Sequence, residues 1–422
     1  MSKGKIALLL TVLLGVSTIL GCSTLDNITA NYTNSEYHEP CEITYMTWSL
    51  SADGLYPQNM IDAFMEKYPW ITVNCKLDSM SQEEYINAQR MRLSSGKGID
   101  VTTLYPSCYE EYIKNGYLEE ITGSECLSNY SLASLDAVTV DGKVYAIPFA
   151  MDAIGVMYNK DMFEAHGWEV PTNIDEFKAL CTEISAAGIA PTVNSAKDSW
   201  PLAHEIFPFM QRLYVDNPTI FEDIDAGKAK YTDEPFVNTF NEISDYFASG
   251  AVSGDAIKLS LEQAFKYFAD GNAAMVCHGE WAQGAILQYK PKFSIGVFPI
   301  PYNAPGEKQI SATEIGQLQA IAASSENKEA AQLFVDYMSS PEAAEAFSES
   351  LGNFSAVSGT RKPGMDEWGP ILEANSIPFW YDQMSPDASS ELFSQLKYLY
   401  TGEHTVDEVL KAVQDVQEAK SK

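Results

Sequence analysis

The sequence has little positive charge, few histidines and only one long apolar run. Its 27 Lys and Arg face 58 Asp and Glu, which leaves a formal net charge of −31 over 422 residues. This deficit of cations excludes nucleic-acid binding, because affinity for phosphate backbones comes from cationic contacts that release counterions. It also disfavours adsorption of the protein surface to anionic lipid. Five histidines and the absence of a C-x-x-C pair argue against a clustered metal site.

The composition nevertheless predicts a folded protein. Hydrophobic residues make up 45% of the chain and aromatic residues 12%, whereas disordered chains have low hydrophobicity. At about 100–200 residues per domain, the length predicts two domains or one large domain.

The only long apolar run lies at the amino terminus. Lys3 and Lys5 precede an apolar stretch from Ile6 to Leu20, which is shorter than the roughly 20 residues that a membrane span requires. Its charged start is typical of a secretory signal. The segment ends at Gly21-Cys22 and resembles a bacterial lipoprotein signal, although Ile and Leu replace the usual Leu and small residue upstream. An ordinary signal peptide with a chance cysteine is the alternative.

The lipoprotein resemblance divides the start of the chain into two segments. It implies a signal peptide over residues 1–21 and a flexible tether over residues 22–40, with Cys22 as the lipidated residue. The tether is rich in Ser, Thr, Asn and Tyr and has no hydrophobic periodicity. The pairing of the six remaining cysteines stays open, and buried free thiols are one possibility.

Strand-like and helix-like patterns alternate beyond residue 41. Predicted strands are 43–48, 71–75, 99–104, 273–277 and 293–297, and predicted helices include 57–67, 83–93 and a final helix around Val406 to Val413. Such alternation indicates an α/β protein with parallel strands. Ligands bind beyond the carboxyl ends of parallel strands, so the segments Trp48 to Gly54 and Tyr105 to Glu110 are candidate ligand loops.

Two local signals mark turns and helix starts. Asp141-Gly142 predicts a tight hairpin turn, because both residues tolerate a positive φ. Thr172 or Asn173 is the predicted N-cap of a helix that contains Asp175 and Glu176 near its positive end.

Three ordered sequence blocks carry a resemblance to a known family. They are the run from Asp141 to Pro148 followed by Tyr158 to Phe163, the run from Phe268 to Trp281, and the run from Ala320 to Met338. Together they resemble extracellular solute-binding proteins of carbohydrate ABC importers, the group that includes maltose-binding protein.

The resemblance implies a two-lobe periplasmic-binding-protein-like α/β fold with a ligand cleft between the lobes. Hinge crossings are expected near 152–155, 276–279 and 318–322. The expected lobes comprise residues 41–152 with 279–320 and residues 153–278 with 321–422. Such a protein would capture a neutral oligosaccharide by hinge closure and deliver it to ABC permease subunits. It would be a monomer held to the membrane only by its lipid, on the cell surface, with no cofactor, metal or catalytic residue.

Sugars present flat C–H faces and a ring of hydroxyls, so aromatic rings and carboxylates are the expected contacts. The family likeness and the positions at strand ends, crossings and polar loops give the candidate ligand-binding residues: Trp48, Asp53, Tyr105, Asp152, Trp200, Glu280, Trp281, Glu314 and Trp380. Polar or proline neighbours predict that Trp200 and Trp380 lie in exposed loops. Each tryptophan could instead be part of a core.

Two other functions remain open at this level. Paired carboxylates about 5–9.5 Å apart would suit a secreted glycoside hydrolase, and no motif excludes one. A binder of a charged solute would need Arg or Lys, and the candidate segments offer only Lys197. His204 and His278 lack partners at metal-ligand spacing and are interpreted as ordinary surface or core histidines.

Overall fold

The computed structural model describes residues 38–50, 54–77, 82–198, 200–360, 366–373 and 376–420. The predicted signal peptide, Cys22, most of the predicted tether and Asp53 lie outside these residues. Residues from Cys41 onward form one compact unit, which is described below. Within the described residues, no helix combines the length and the apolarity that a bilayer span requires.

Twelve strands are present in the described part of the chain. They are β1 Cys41–Thr47, β2 Ile71–Leu77, β3 Val101–Leu104, β4 Thr139–Val140, β5 Lys143–Val144, β6 Ala146–Asn159, β7 Ala190–Thr192, β8 Ala273–Gly279, β9 Ile295–Pro299, β10 Ser311–Ile321, β11 Phe354–Ser355 and β12 Ser376–Ile377.

Helices alternate with these strands. The α-helices are Gln58–Lys67, Gln82–Ser95, Tyr109–Lys114, Leu132–Asp136, Lys160–His166, Ile174–Ala186, Leu202–Glu205, Phe207–Asp216, Ile220–Asp225, Glu234–Ala248, Leu261–Ala269, Trp281–Gln288, Lys328–Met338, Pro341–Leu351, Gly369–Glu373, Pro386–Thr401 and Val406–Lys420. The 3₁₀ segments are Pro106–Cys108, Glu125–Asn129, Asp366–Trp368 and Trp380–Gln383.

One mixed sheet runs through the whole unit in the order β2-β1-β3-β10-β6-β8-β7. Strand β1 is parallel to β2 and β3, as the strand-helix alternation predicts. Strand β10 is antiparallel to both β3 and β6. The first half of the long strand β6 pairs with β10, and its second half pairs with β8 and β9. Strand β6 therefore belongs to both parts of the sheet.

Separate hydrophobic cores form on the two parts, and this division confirms the two-lobe α/β fold. The first-lobe core contains residues 43–150 and 318–357 around β1, β3 and the start of β6. In the second lobe, Ile154 and Val156 of β6 face one core, whereas Met157 faces another. Successive side chains of a strand point to opposite faces, so the two second-lobe cores lie on opposite faces of its sheet.

The packing differs from the lobe boundaries expected from the sequence. Residues 330–357, expected in the second lobe, pack in the first-lobe core. Ala282 and Ile286, expected in the first lobe, pack with Val276 in the second. The chain therefore does not cross between lobes at residues 276–279. It passes from the first-lobe core at Val357 to the second lobe at Trp368.

The two local signals are confirmed. Strands β4 and β5 form a hairpin whose turn residues Asp141 and Gly142 have φ values of 51° and 76°, as a type I′ turn requires. The side chain of Asn173 accepts a hydrogen bond from the N–H of Glu176 and caps the helix Ile174–Ala186. Six cysteines fall within the described residues, and none of them forms a disulfide there.

Candidate functional site

Four carboxylic side chains meet where β6 passes from one lobe to the other. Asp152 of β6 lies directly opposite Glu314 of β10 in the antiparallel ladder. Glu280 follows β8, and Asp382 belongs to the 3₁₀ segment Trp380–Gln383. These four residues are called the acidic cluster below.

Glu280 ties the strand junction to the first lobe. Its Oε2 accepts a hydrogen bond from the N–H of Ala153 at 2.9 Å, and its Oε1 accepts one from Nδ2 of Asn353 at 3.3 Å. Glu280 is completely buried. These two hydrogen bonds fix the backbone where the two lobes join.

The other three members of the acidic cluster disfavour one another's charges. Burial raises the pKa of Asp152 to about 7, and the charge of Asp382 adds to this effect. Burial, followed by the charge of Asp382, raises the pKa of Glu314 well above its usual value. Burial also raises the pKa of Asp382, although a hydrogen bond with Glu314 lowers it. The hydrogen bond between the two side chains raises the pKa of Glu314 and lowers that of Asp382, so it favours the neutral form of Glu314 over that of Asp382.

Gly316 makes room for the carboxylate of Asp152. The pairing of β6 and β10 shifts register between Ile315 and Gln317. A Cβ atom placed on Gly316 would lie 1.9 Å from Oδ2 of Asp152, far inside van der Waals contact. Only glycine at position 316 leaves space for the side-chain carboxylate of Asp152 against β10.

Aromatic rings from the first lobe lie beside the acidic cluster. Trp48 and Tyr105, which follow β1 and β3, stack with their centroids 4.0 Å apart and their planes 3° apart. Burial raises the pKa of Tyr105, and the charges of Cys108 and Asp152 contribute. Trp48 and Tyr105 thus stand where the carboxyl ends of parallel strands place ligands.

A second group of rings lies in the second lobe. The indole of Trp200 is 37% exposed and lies 5.4 Å from the ring of His204 and 5.3 Å from that of His278. Trp281 is in contact with both histidines. The ring of Tyr381 lies 6.2 Å from His204. Burial raises the pKa of Tyr381, and the acidic cluster contributes, so its phenol connects these rings to the carboxylates.

The structure brings most of the predicted site residues into one region. Those found at the junction or in the two ring groups are Trp48, Tyr105, Asp152, Trp200, Glu280, Trp281 and Glu314. Asp53 lies outside the described residues. Trp380 differs from the prediction of an exposed loop, because its side chain is completely buried in the second-lobe core.

The sequence interpretation did not select several residues of the same region. They are Asp382, Tyr381, Asn353, His204 and His278. Asp382 and Tyr381 adjoin the predicted Trp380, so a prediction that took the whole loop as a candidate would have included them. The histidines have no local signal, since they come from segments far apart in the chain.

The protein belongs to the bacterial extracellular solute-binding proteins, whose family model matches residues 48–345. Family membership implies a location outside the cytoplasm and a role in binding solutes.

Individual relatives agree with this assignment. The multiple sugar-binding protein of Streptococcus mutans is 27% identical over 303 residues, which cover 69% of this chain and 69% of that protein. The structure of the solute-binding protein RafE in complex with raffinose has a TM-score of 0.77 and 23% identity, and the match covers 90% of this chain and all of that one. A Bacillus licheniformis sugar transporter in complex with stachyose has a TM-score of 0.76 and 15% identity, with 90% and 100% covered. The structural matches establish the fold.

Proposed function

We propose that this protein captures a neutral oligosaccharide between its two lobes and delivers it to the permease subunits of an ABC importer. It acts as a monomer, without a cofactor, a metal or catalysis of its own. The proposed ligand contacts are the sequence-predicted residues of the region together with Tyr381 and Asp382. Trp380 is left out of the contacts because its side chain packs in the second-lobe core and not at the junction of the lobes.

The observation that carries this proposal is the arrangement of rings on both sides of the acidic cluster. Trp48 and Tyr105 lie on the first lobe. Trp281 packs against the second-lobe core, and Trp200 lies beside it through its ring contacts with His204 and His278. A sugar that stacks on both groups gains contacts only when the lobes approach, so differential affinity favours the closed state. Carboxylates between the rings accept hydrogen bonds from the sugar hydroxyls.

Both the related proteins and the titratable side chains of the region support an uncharged ligand. Relatives include a multiple sugar-binding protein and structures solved with raffinose and stachyose. The titratable groups that we place in the region are carboxylic acids, tyrosines and histidines. An anionic solute would meet like charges there and no cationic partner among them.

A glycan panel tests the function directly. Calorimetry and thermal shift on the full chain in detergent would use raffinose, stachyose, maltotriose and a chitin oligosaccharide, with a polyamine and a phosphorylated sugar as charged probes. We expect binding of at least one neutral glycan, a 1:1 stoichiometry and no product. Hydrolysis of a glycan would favour the glycosidase, and binding of charged probes alone would contradict a neutral ligand.

Trp200→Ala should weaken glycan binding by about 1–3 kcal/mol, the usual scale for loss of an aromatic contact. Because the indole is 37% exposed, the melting temperature of the free protein should hardly change. Trp70→Ala is a matched control, since Trp70 precedes β2 and lies at the opposite edge of the parallel strands. Equal affinity of Trp200→Ala and the wild type would remove Trp200 from the site.

We further propose that Cys22 carries the lipid that holds the protein on the cell surface and that residues 1–21 are removed. Cys22→Ser should move the protein from the membrane fraction to the medium or the soluble extract, because the lipid is the only proposed anchor. Immunoblots of separated fractions measure this change. Retention of the variant in the membrane would contradict the lipoprotein assignment.

A further inference from the structure

Two buried histidines in the second lobe have nitrogens without a hydrogen-bond partner. His204 is 2% exposed and His278 is not exposed, and their ring centroids are 4.3 Å apart. Both nitrogens of His204 and Nε2 of His278 lack a partner among the described residues. Because most buried polar groups are hydrogen-bonded, three unpaired nitrogens at one place indicate a missing partner. These two residues are called the imidazole pair.

The protonation state of the pair follows from its surroundings. Burial lowers the pKa of His204 to about 3, and burial together with His204 lowers the pKa of His278 well below its usual value. Both rings are therefore neutral. The N–H of Gly279 donates a hydrogen bond to Nδ1 of His278, so the proton of His278 resides on Nε2. Nε2 of His278 is consequently an unpaired donor, and His204 offers one donor and one acceptor.

Aromatic rings rather than charged groups surround the pair. Its ring neighbours are Trp200, Phe265, Trp281 and Tyr381. Trp200 contacts both imidazoles and is exposed to solvent, so its indole covers the pair. Tyr381 connects the pair to the acidic cluster.

The pair also stands at the expected edge of the sheet. His278 is the penultimate residue of β8, which is parallel to β7, and His204 belongs to the helix that follows β7. Carboxyl ends of parallel strands face the ligand. The imidazole pair is therefore continuous with the candidate site.

A metal ion is a poorer partner than a polyol. Within the described residues, no group of three or more metal-ligating side chains is arranged to hold an ion, and structural sites usually have four ligands. Two neutral imidazoles beneath stacked rings instead match a sugar, whose hydroxyls both donate and accept.

We propose that the imidazole pair is a subsite that forms hydrogen bonds with sugar hydroxyls and so determines which neutral glycans bind. Ligands reach this subsite when the Trp200 indole moves aside. This inference rests on the proposed function. The displaced indole then stacks on the sugar ring, while two donors and one acceptor engage two hydroxyls. A glycan that lacks one of these hydroxyls leaves a buried nitrogen unpaired, so the site rejects it.

His204→Phe tests the subsite, because phenylalanine keeps a planar ring and removes both unpaired nitrogens. The probe is whichever of raffinose, stachyose, maltotriose and the chitin oligosaccharide binds the wild type most tightly, together with its monodeoxy analogues. We expect the wild type to bind the parent glycan at least 10-fold more tightly than one deoxy analogue. His204→Phe should weaken parent binding at least 10-fold and should no longer distinguish that analogue. Its melting temperature without ligand should stay the same or rise, since removal of unpaired polar atoms is not destabilising.

Two variants provide matched comparisons. His204→Gln keeps a donor and an acceptor and should retain part of the discrimination. His166→Phe makes the same change at an exposed histidine that stacks on Trp168 and should alter nothing. If His204→Phe does not fold, ¹⁵N-histidine spectra of the wild type decide, because the chain has only five histidines. Glycan binding should shift the ring signals of His204 and His278.

The outcomes separate the two proposals. Normal affinity and undiminished discrimination in His204→Phe would overturn the subsite while the sugar-binding function stands. Unchanged histidine signals in a glycan-saturated wild type would have the same meaning. Stabilisation of the wild type by Ni²⁺ or Cu²⁺, lost in His204→Phe, would show a metal site instead. Failure of the wild type to bind any neutral glycan would overturn both proposals.

Discussion

Trp380→Ala should lower the free energy of unfolding by about 3 kcal/mol, near the lower end of the range for buried aromatic truncations. The indole is completely buried and lies against the rings of Tyr381 and Phe393. Removal of the indole costs the folded protein the transfer free energy of the buried ring and leaves a cavity whose lining residues lose van der Waals contacts. The Nε1 atom has no partner among the described residues, so its loss offsets part of the cost. Urea unfolding followed by circular dichroism measures the change.

A less drastic substitution separates the effect of the cavity on stability from the effect of removing the N–H group. Trp380→Phe fills most of the volume and removes the unpaired donor, so it should cost less than about 1.5 kcal/mol. Trp200→Ala removes the same side chain from an exposed position and serves as the control. If Trp380→Ala unfolds at the wild-type urea concentration but fails to bind glycan, the indole faces the ligand rather than the core.

Asp152→Asn should make the protein more stable at pH 8, by at most about 4 kcal/mol, and should change stability little at pH 4. The pKa of Asp152 is about 7 in the folded chain and about 4 in an unfolded chain. Between these values the folded state holds a proton that the unfolded state has lost. The stabilisation from Asp152 is therefore complete below pH 4 and disappears as the pH rises to about 7.

The measurement is the difference in unfolding free energy between the wild type and Asp152→Asn from pH 4 to pH 8. A difference is needed because Glu205, whose pKa burial also raises to about 7, and Glu314 contribute with the same sign. His204, with its lowered pKa, contributes with the opposite sign below pH 6.5. The contributions of Glu205 and His204 cancel in the comparison, whereas the part of the Glu314 contribution that depends on the charge of Asp152 belongs to the measured difference. A difference that does not vary with pH would mean that Asp152 is ionised at neutral pH in the folded protein.

The sequence predicts local structure better than it predicts which distant segments pair or pack together. Asn173 and the Asp141-Gly142 turn act through neighbouring atoms, so their roles are visible in a few residues. The helix Lys328–Met338 has a clear apolar stripe, but a stripe does not specify which core it faces. Its place in the first lobe depends on β10, which pairs with β3 over more than 200 residues of sequence separation.

The environment of Trp380 shows why loop burial is difficult to predict. Its proline and aspartate neighbours favour an exposed loop, since buried loops leave backbone groups unpaired. Here the amide of Gln211 satisfies that backbone: its Nε2 donates to the carbonyl of Pro378 at 2.8 Å, and its Oε1 accepts from the N–H of Trp380 at 3.1 Å. One side chain from a distant helix therefore allows the loop to enter the core. Asp152, Glu280 and Glu314 were selected from the crossings that the family resemblance implies, whereas Asp382 lies far from them in the sequence and was not selected.

The interleaved cores have a consequence for the order in which the chain can fold. The first-lobe core combines residues 43–150 with residues 318–357, and the second-lobe core extends to Val413. Contacts between distant segments form slowly, and a chain made from its amino end folds each domain only when its parts are present. Neither lobe can be completed until most of the chain has been synthesised. The interleaving thus delays completion of both lobes, so a chain exported during its synthesis would leave the cytoplasm before either lobe has formed.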